Sequence, residues 1–440
     1  MLSHVPGSEI TLKTIGGLPG LKVPTARDDS DRSFSLVGET TEGVQLTLLD
    51  CFLYTWARTG RGLASQEIRV GRTVFGVHDA SAARALRSMT VWMDQLTPWV
   101  WEVPFREEFD DEHTLTARHV PPRSRRWEVA PLSAEIELWG GLSSGGGSFF
   151  EFNSRLDFAL TITPRSPQPY AWFHDAAWKV RNLLCLLTGE PAFFTRVIGH
   201  YDGQSDLERS DVIFPQRSFK RRDEVHYQRQ FAPLREIEGM MGTVLETWFS
   251  NVRSLSVVID LYFDELLDLD VYSMSAMFGL TQIAEGVHRL RNTPSAADQS
   301  LHAGIRKQLN SAIPPDLPAE LDEKLRSRIG SIGEPSLPDR VRDLLSSLDG
   351  EFCDRFFPDR ERFVRDVAAF RNYFAHLPPN RDNPLIDERR AVMMIERMRV
   401  LIAALLLREA GLTERQCNNG FMRRFGWITR VGTSAAEEHA

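Results

Sequence analysis

The stretch from Asp359 to Pro379, DRERFVRDVAAFRNYFAHLPP, decides how the chain is read. Phe363, Val367, Phe370 and Phe374 recur at steps of four, three and four, which lays a narrow apolar stripe along one helical face. Arg371 projects from the flank of that stripe, and Asn372 and His376 lie farther round. Leu377-Pro378-Pro379 stops the helix, because a residue before proline avoids α geometry. His376 therefore stands at a helix C-terminus. The partial negative charge there favours imidazolium, and the Arg371 cation opposes it. A histidine held between those influences suits proton transfer.

On either side of this stretch the second half of the chain keeps a helical period. Leu234 to Asn251, Val257 to Leu267, Tyr272 to Arg291, Asp339 to Leu348 and Asp387 to Glu409 all read as helices. Ala312 to Pro338 carries five prolines and reads as a break with a short helix near Ala319 to Ile329. Val400 to Leu407, VLIAALLL, has no polar face, so its helix must be covered on every side, by its own domain, by the residues after it or by a second subunit. Eight apolar residues are too few to span a bilayer. After Gly411 the chain reads as an Arg-containing tail.

The first half has another chemistry. Eight of the ten tryptophans lie at or before Trp178. Gly43 to Trp56, Ile68 to Val77, His113 to His119, Trp127 to Leu138 and Leu156 to Ile162 alternate apolar and polar residues between Gly, Pro, Asp and Ser clusters, as half-buried strands do. Pro169 to Thr188 is a helix that ends before Gly189. Gly140 to Ser148, GGLSSGGGS, reads as a flexible loop and lacks the Lys-Ser/Thr of a phosphate-binding P-loop. The fold class is α+β: an N-terminal β-rich, sandwich-like domain over residues 1–225, an all-α helical bundle over 226–410, and a tail over 411–440.

Composition narrows the function classes. The net charge of −8 excludes a chain that grips nucleic acid by overall basicity, though not a local basic patch. Only six of the 52 cations are lysine, and arginine is the cation that binds phosphate and carboxylate bidentately. The four cysteines, Cys51, Cys185, Cys353 and Cys417, form no CxxC pair, so a zinc site built on paired cysteines is excluded and free thiols in a reducing cytoplasm are expected. The N-terminus lacks the basic start and apolar core of a secretory signal. Nucleotidyltransfer is disfavoured by the absence of Gly-Ser followed by spaced aspartates.

Arginine followed by histidine after four residues occurs at Arg221–His226 and Arg371–His376, and slightly longer spacings add Arg72–His78 and Arg106–His113. Random placement of these residues would give similar numbers, so spacing alone decides nothing. Arg221 and His226 sit in a charged connector, Ser218 to Arg229. Only Arg371–His376 ends an amphipathic helix. Its Arg371-Asn372-Tyr373-Phe374-Ala375-His376 resembles the Arg-Asn-x-x-x-His signature of HEPN ribonucleases. Most of residues 30–410 resemble the ApeA family, bacterial anti-phage endoribonucleases in which a β-rich domain precedes a HEPN domain; the N-terminal extension and the Arg-containing tail carry no such resemblance. In the first half the resemblance rests on the strand–helix rhythm of Arg155 to Phe194, and in the second also on Phe278 to Arg291, which is similar to an earlier HEPN helix bearing a glutamate, here Glu285.

This resemblance implies catalytic Arg371, Asn372 and His376, with Glu285 as an accessory residue. Glu285 has a plain alternative as a surface ion-pair partner, and His288, three residues on, lacks a third ligand for a metal pair. No cofactor and no metal are implied. RNA, with tRNA favoured, is the implied substrate, and abortive infection in the cytoplasm the implied setting. A homodimer and a phage-derived trigger sensed by the first domain complete the expectation. The competing reading is a catalytically silent HEPN dimerisation scaffold with a ligand-binding β domain.

Overall fold

The computed structural model describes residues 2–3, 9–15, 33–58, 64–76, 85–102, 105–109, 115–145, 153–201, 210–213, 227–267, 274–292, 295–376 and 388–437. The chain packs as two compact units, Met1–Ser250 and Asn251–Ala440. The first is built on strands β1 (Leu2–Ser3), β2 (Ile10–Ile15), β3 (Phe34–Glu39), β4 (Gln45–Arg58), β5 (Ala64–Phe75), β6 (Leu86–Met93), β7 (Phe105–Phe109), β8 (Leu115–His119), β9 (Arg125–Val129), β10 (Ala134–Gly145), β11 (Asn153–Pro164), β12 (Phe194–Tyr201) and β13 (Ser210–Ile213). All but the β7–β8 hairpin join one antiparallel sheet in the order β1-β2-β5-β13-β12-β6-β11-β10-β9, with β4 and then β3 on the other edge of β5. Strand β5 holds the sheet together. Along one edge it pairs with β2 through residues 65–70 and with β13 at Thr73 and Val74.

Two apolar clusters stabilise this sheet. Ile10, Leu48, Cys51, Ile68 and Val70 fill the first. The second lies under helix α2 (Tyr170–Thr188), whose Phe173, Ala177, Val180, Leu184 and Leu187 return every three or four residues to the buried face. Each such residue contributes roughly 1.5–3 kcal/mol when fully covered. Gly189, at φ 70°, ends α2 in a left-handed cap and donates its N–H to Cys185 O at 2.8 Å. Helices α1 (Leu96–Val100), α3 (Leu234–Ile237) and α4 (Met241–Asn251) complete this layer. The Trp99 indole donates to Ala232 O at 2.8 Å, and the Trp248 indole to Lys179 O at 2.9 Å. Those two bonds tie residues 232–248 to the first unit, so packing divides the chain at 250 instead of at 225.

Two sequence expectations change in this unit. Trp127 to Leu138 is a hairpin, not one strand: Pro131 cannot donate to a ladder, residues 130–132 form a single 3₁₀ turn, and Ser133 adopts φ 54°. Residues 140–145 of the glycine-rich stretch are not a loop but part of β10, paired with residues 153–158 of β11. A Cβ on Gly140 would come within 2.5 Å of the Pro122 ring and 2.9 Å of Phe158, so the glycine admits those rings against the strand.

The second unit contains α5 (Ser256–Leu267), α6 (Met274–Arg291), α7 (Ala296–Ser311), α8 (Ala319–Gly330), α9 (Leu337–Ser346), α10 (Gly350–Phe356), α11 (Arg360–His376), α12 (Glu388–Glu409) and α13 (Glu414–Glu437). Helix α6 packs against α5, α9, α11 and α12, and α13 packs against α10 and α12. Val400 to Leu407 is buried throughout, covered within the chain. A second subunit is therefore not needed to cover it. The segment after Gly411, expected as a tail, is a helix that inserts Cys417, Phe421, Phe425 and Ile428 into the core. Phe421 meets Phe352 ring to ring at 5.1 Å, and Arg415 reaches Asp349 at 3.1 Å. Helices α7 and α8 pack against each other as a solvated hairpin, α7 opened by a Ser295–Asp298 capping box.

At the middle of β5 a Cβ on Gly71 would lie 2.8 Å from Asp50 Cβ, in a stretch where Asp50 itself has φ 51° and accepts from Arg72. Gly71→Ala is expected to destabilise the first unit by about 1–3 kcal/mol through this overlap. Urea unfolding followed by tryptophan fluorescence measures it; an unchanged midpoint contradicts the packing described.

Candidate active site

Helix α11 carries Arg371, Asn372 and His376 in its last two turns. Its position is set by Phe363, Val364, Val367 and Phe370, all buried, against α6, α9 and α12. The stripe read from the sequence is thus the core face, with Val364 added. The side chains of Phe374 and His376 lie outside the described residues, as do Arg221, His226 and His78. Arg371 is half-buried and Asn372 exposed, so neither serves the core. Arg371 Nη1 donates to Asn372 Oδ1 at 3.4 Å, a long bond that leaves most of the guanidinium's donors for another acceptor.

A fixed ion pair holds α11 to the next helix. Arg390 of α12 donates through Nη2 and Nε to the two oxygens of Asp366, at 2.6 and 3.2 Å. Farther along, Arg397 of α12 is half-buried. Burial and the neighbouring Arg362 charge push its pKa below the ordinary arginine range, against the pull of Asp366 and Asp359. Nothing in ERMRV separates Arg397 from Arg399, so this environment is not readable from the sequence.

Glu285 lies on α6, which packs against α11, and its carboxylate stands 3.9 Å from Arg289 one turn on. The Glu285 side chain is 19% exposed and that of Arg289 62%, and among the described residues no bond joins Glu285 to Arg371. His288 is 2% exposed and its Nε2 lies 3.0 Å from Asp343 Oδ2 on α9. The two therefore form no pair of ligands. In the β-rich unit Trp99 and Trp248 are core residues, while Trp101 is exposed. No helix among the described residues is long and apolar enough to cross a membrane.

Asp366→Asn removes the charge that matches Arg390 and loosens α12 from the helix carrying the motif. A partly shielded pair of this kind is expected to contribute about 1 kcal/mol. Chemical denaturation followed by helical circular dichroism checks the loss, and a midpoint equal to wild type would show that α11 is held by its apolar face alone.

Comparison with protein families matches residues 1–248 to ApeA N-terminal domain 1 and residues 278–416 to the Apea-like HEPN domain. No curated protein and no solved structure matches the chain. The second match runs from α6 to the start of α13 and contains the whole of α11. With one domain model covering more than half the chain and a second covering the helices around the motif, the protein belongs to the ApeA family, HEPN proteins of the anti-phage nuclease type.

Proposed function

We propose that the protein is a metal-independent endoribonuclease that cleaves RNA, with tRNA as its substrate, during bacterial anti-phage defence. The observation that carries this reading is the position of Arg371-Asn372-x-x-x-His376. It closes a helix whose other face is locked into a HEPN bundle, and its Arg and Asn are free of core packing.

RNA brings its own nucleophile. A base removes the 2′-OH proton, the oxygen attacks the adjacent phosphorus, and the P–O5′ bond breaks. A proton supplied to the leaving 5′-oxygen completes the step, leaving a 2′,3′-cyclic phosphate and a 5′-hydroxyl. His376 performs the proton transfers, worth roughly 10²–10⁴ in rate. Arg371 stabilises the charge that builds on the non-bridging oxygens. Asn372 orients the histidine or the phosphate. Two copies of the motif facing across a two-fold axis would supply base and acid from different subunits. The β-rich unit restrains this activity in the cytoplasm until a phage-derived signal arrives, so that infection and not growth triggers RNA loss.

His376→Ala is expected to abolish cleavage of tRNA and protection against phage, with an unchanged circular dichroism spectrum. His226→Ala has the same spacing from an arginine and serves as the control that stays active. Cleavage by folded His376→Ala at the wild-type rate would remove the motif from the chemistry. The shared site is tested separately by light scattering during turnover: a dimer mass is expected, and full activity from a species that remains monomeric with bound RNA contradicts it.

A further inference from the structure

Helix α11 turns one face to the bundle and the opposite face to solvent. Phe363, Val364, Val367 and Phe370 make the buried face. At 3.6 residues per turn, Arg362, Arg365, Ala369, Asn372 and His376 fall within about 80° of one another on the other side. Arg362, Arg365 and Asn372 are exposed and Ala369 is half-buried, so this strip is open to solvent. It rises about 21 Å from Arg362 to His376, at 1.5 Å per residue.

The positive charge on the strip is not balanced by its own helix. A carboxylate one turn away is the usual partner of an exposed helical cation. On α8, Lys324 meets Glu320 at 2.6 Å and Arg326 meets Asp322 at 2.8 Å in this way. Helix α11 has carboxylates at the same spacing, Asp366 four residues after Arg362 and Glu361 four before Arg365. Both are taken by arginines of other helices. Arg342 of α9 donates to the two oxygens of Glu361 at 2.9 and 3.1 Å, and Arg390 of α12 to those of Asp366 at 2.6 and 3.2 Å. Asp359 Oδ1 accepts the backbone N–H of Arg362 at 2.9 Å. Among the described residues, the Arg362 and Arg365 side chains are thus left without an acceptor.

Two unpaired guanidinium groups one turn apart on an open helix face suit a polyanion with repeating charge. The planar fork of arginine binds a phosphodiester bidentately. The end of the strip selects the polyanion. It runs past the small Ala369 into Asn372 and His376, so a chain lying along it brings one of its phosphates to the end of α11. RNA is the chain that the proposed reaction cleaves there.

We propose that Arg362 and Arg365 bind the RNA backbone along the exposed face of α11 and hold the scissile phosphate in register with Asn372 and His376. This rests on the ribonuclease reading and adds two positioning residues that contact phosphate and read no sequence.

The test uses the full-length protein, bulk tRNA, and the variants Arg362→Gln, Arg365→Gln and the two combined. Arg326→Gln on α8 controls for loss of an exposed charge as such. Each single variant is expected to keep the wild-type Tm, to raise KM about fivefold with kcat within about twofold of wild type, and to make the dependence of log affinity on log salt shallower by about 0.7–0.9. The combined variant should lose about twice that slope, and Arg365→Lys, which keeps the charge, should restore it. The control should change neither KM nor slope. If wild type cleaves tRNA and the combined variant keeps its KM and salt slope, or loses kcat alone, the strip does not hold RNA and the ribonuclease reading stands. A single variant that melts several degrees lower makes its arginine a structural residue and overturns the assignment. If wild type does not cleave tRNA, that reading fails, and fluorescence anisotropy with a single-stranded oligouridylate decides the strip alone. The combined variant should then bind more weakly and with the shallower salt slope, and binding equal to wild type overturns the proposal. Polyglutamate that displaces the oligouridylate at equal charge concentration would make the strip a docking face for acidic protein and overturn the assignment to RNA.

Discussion

The helical unit is organised by the need to bury Val400 to Leu407. A helix apolar on every side has no stable position at a surface. Helix α12 is therefore enclosed by its neighbours, with α6, α11 and α13 packed against it. Because α11 is one of those neighbours, its apolar face is committed to the bundle. The residues around the remaining sides of α11, Arg362, Asp366, Arg371 and Asn372, are left to make charged and polar contacts. Arg371 and Asn372 are thus carried on a helix anchored by its apolar face.

Much of this was legible in the sequence, and the exceptions have physical causes. The stripe Phe363–Val367–Phe370 announced α11 because its period and its burial agree. Helix α13 announced itself just as clearly through Cys417, Phe421, Phe425 and Ile428, but the arginines between them suggested a solvated tail. Of those arginines Arg423 is exposed and Arg424 half-buried, and Arg415 is paired with Asp349. Helix α7 has no core face, and only its Ser295–Asp298 cap marked it. In the first unit, the alternation of Trp127 to Leu138 ran across a turn without a break in polarity, so only Pro131 signalled it. The boundary near residue 250 depended on long-range bonds from Trp99 and Trp248, which no local pattern contains.

For the candidate site, the sequence offers only the local motif. The motif Arg371-Asn372-x-x-x-His376 is local, and its helix-end context could be read directly. Glu285, an accessory residue by resemblance, pairs with Arg289 one turn on, and His288 meets Asp343. Arg397 could not be singled out at all. Arg397 and Arg399 are two residues apart on one helix, and only tertiary packing sets Arg399 against Glu396 and Glu265.

The account stands or falls on the chemistry at the end of α11. Its most direct measurement is the structure of the RNA ends left when purified protein is incubated with tRNA in excess EDTA. Fragments with 2′,3′-cyclic phosphates and 5′-hydroxyls, formed without divalent metal, are the predicted result. A strict magnesium requirement with 5′-phosphate products would contradict it and place the reaction in a different catalytic centre.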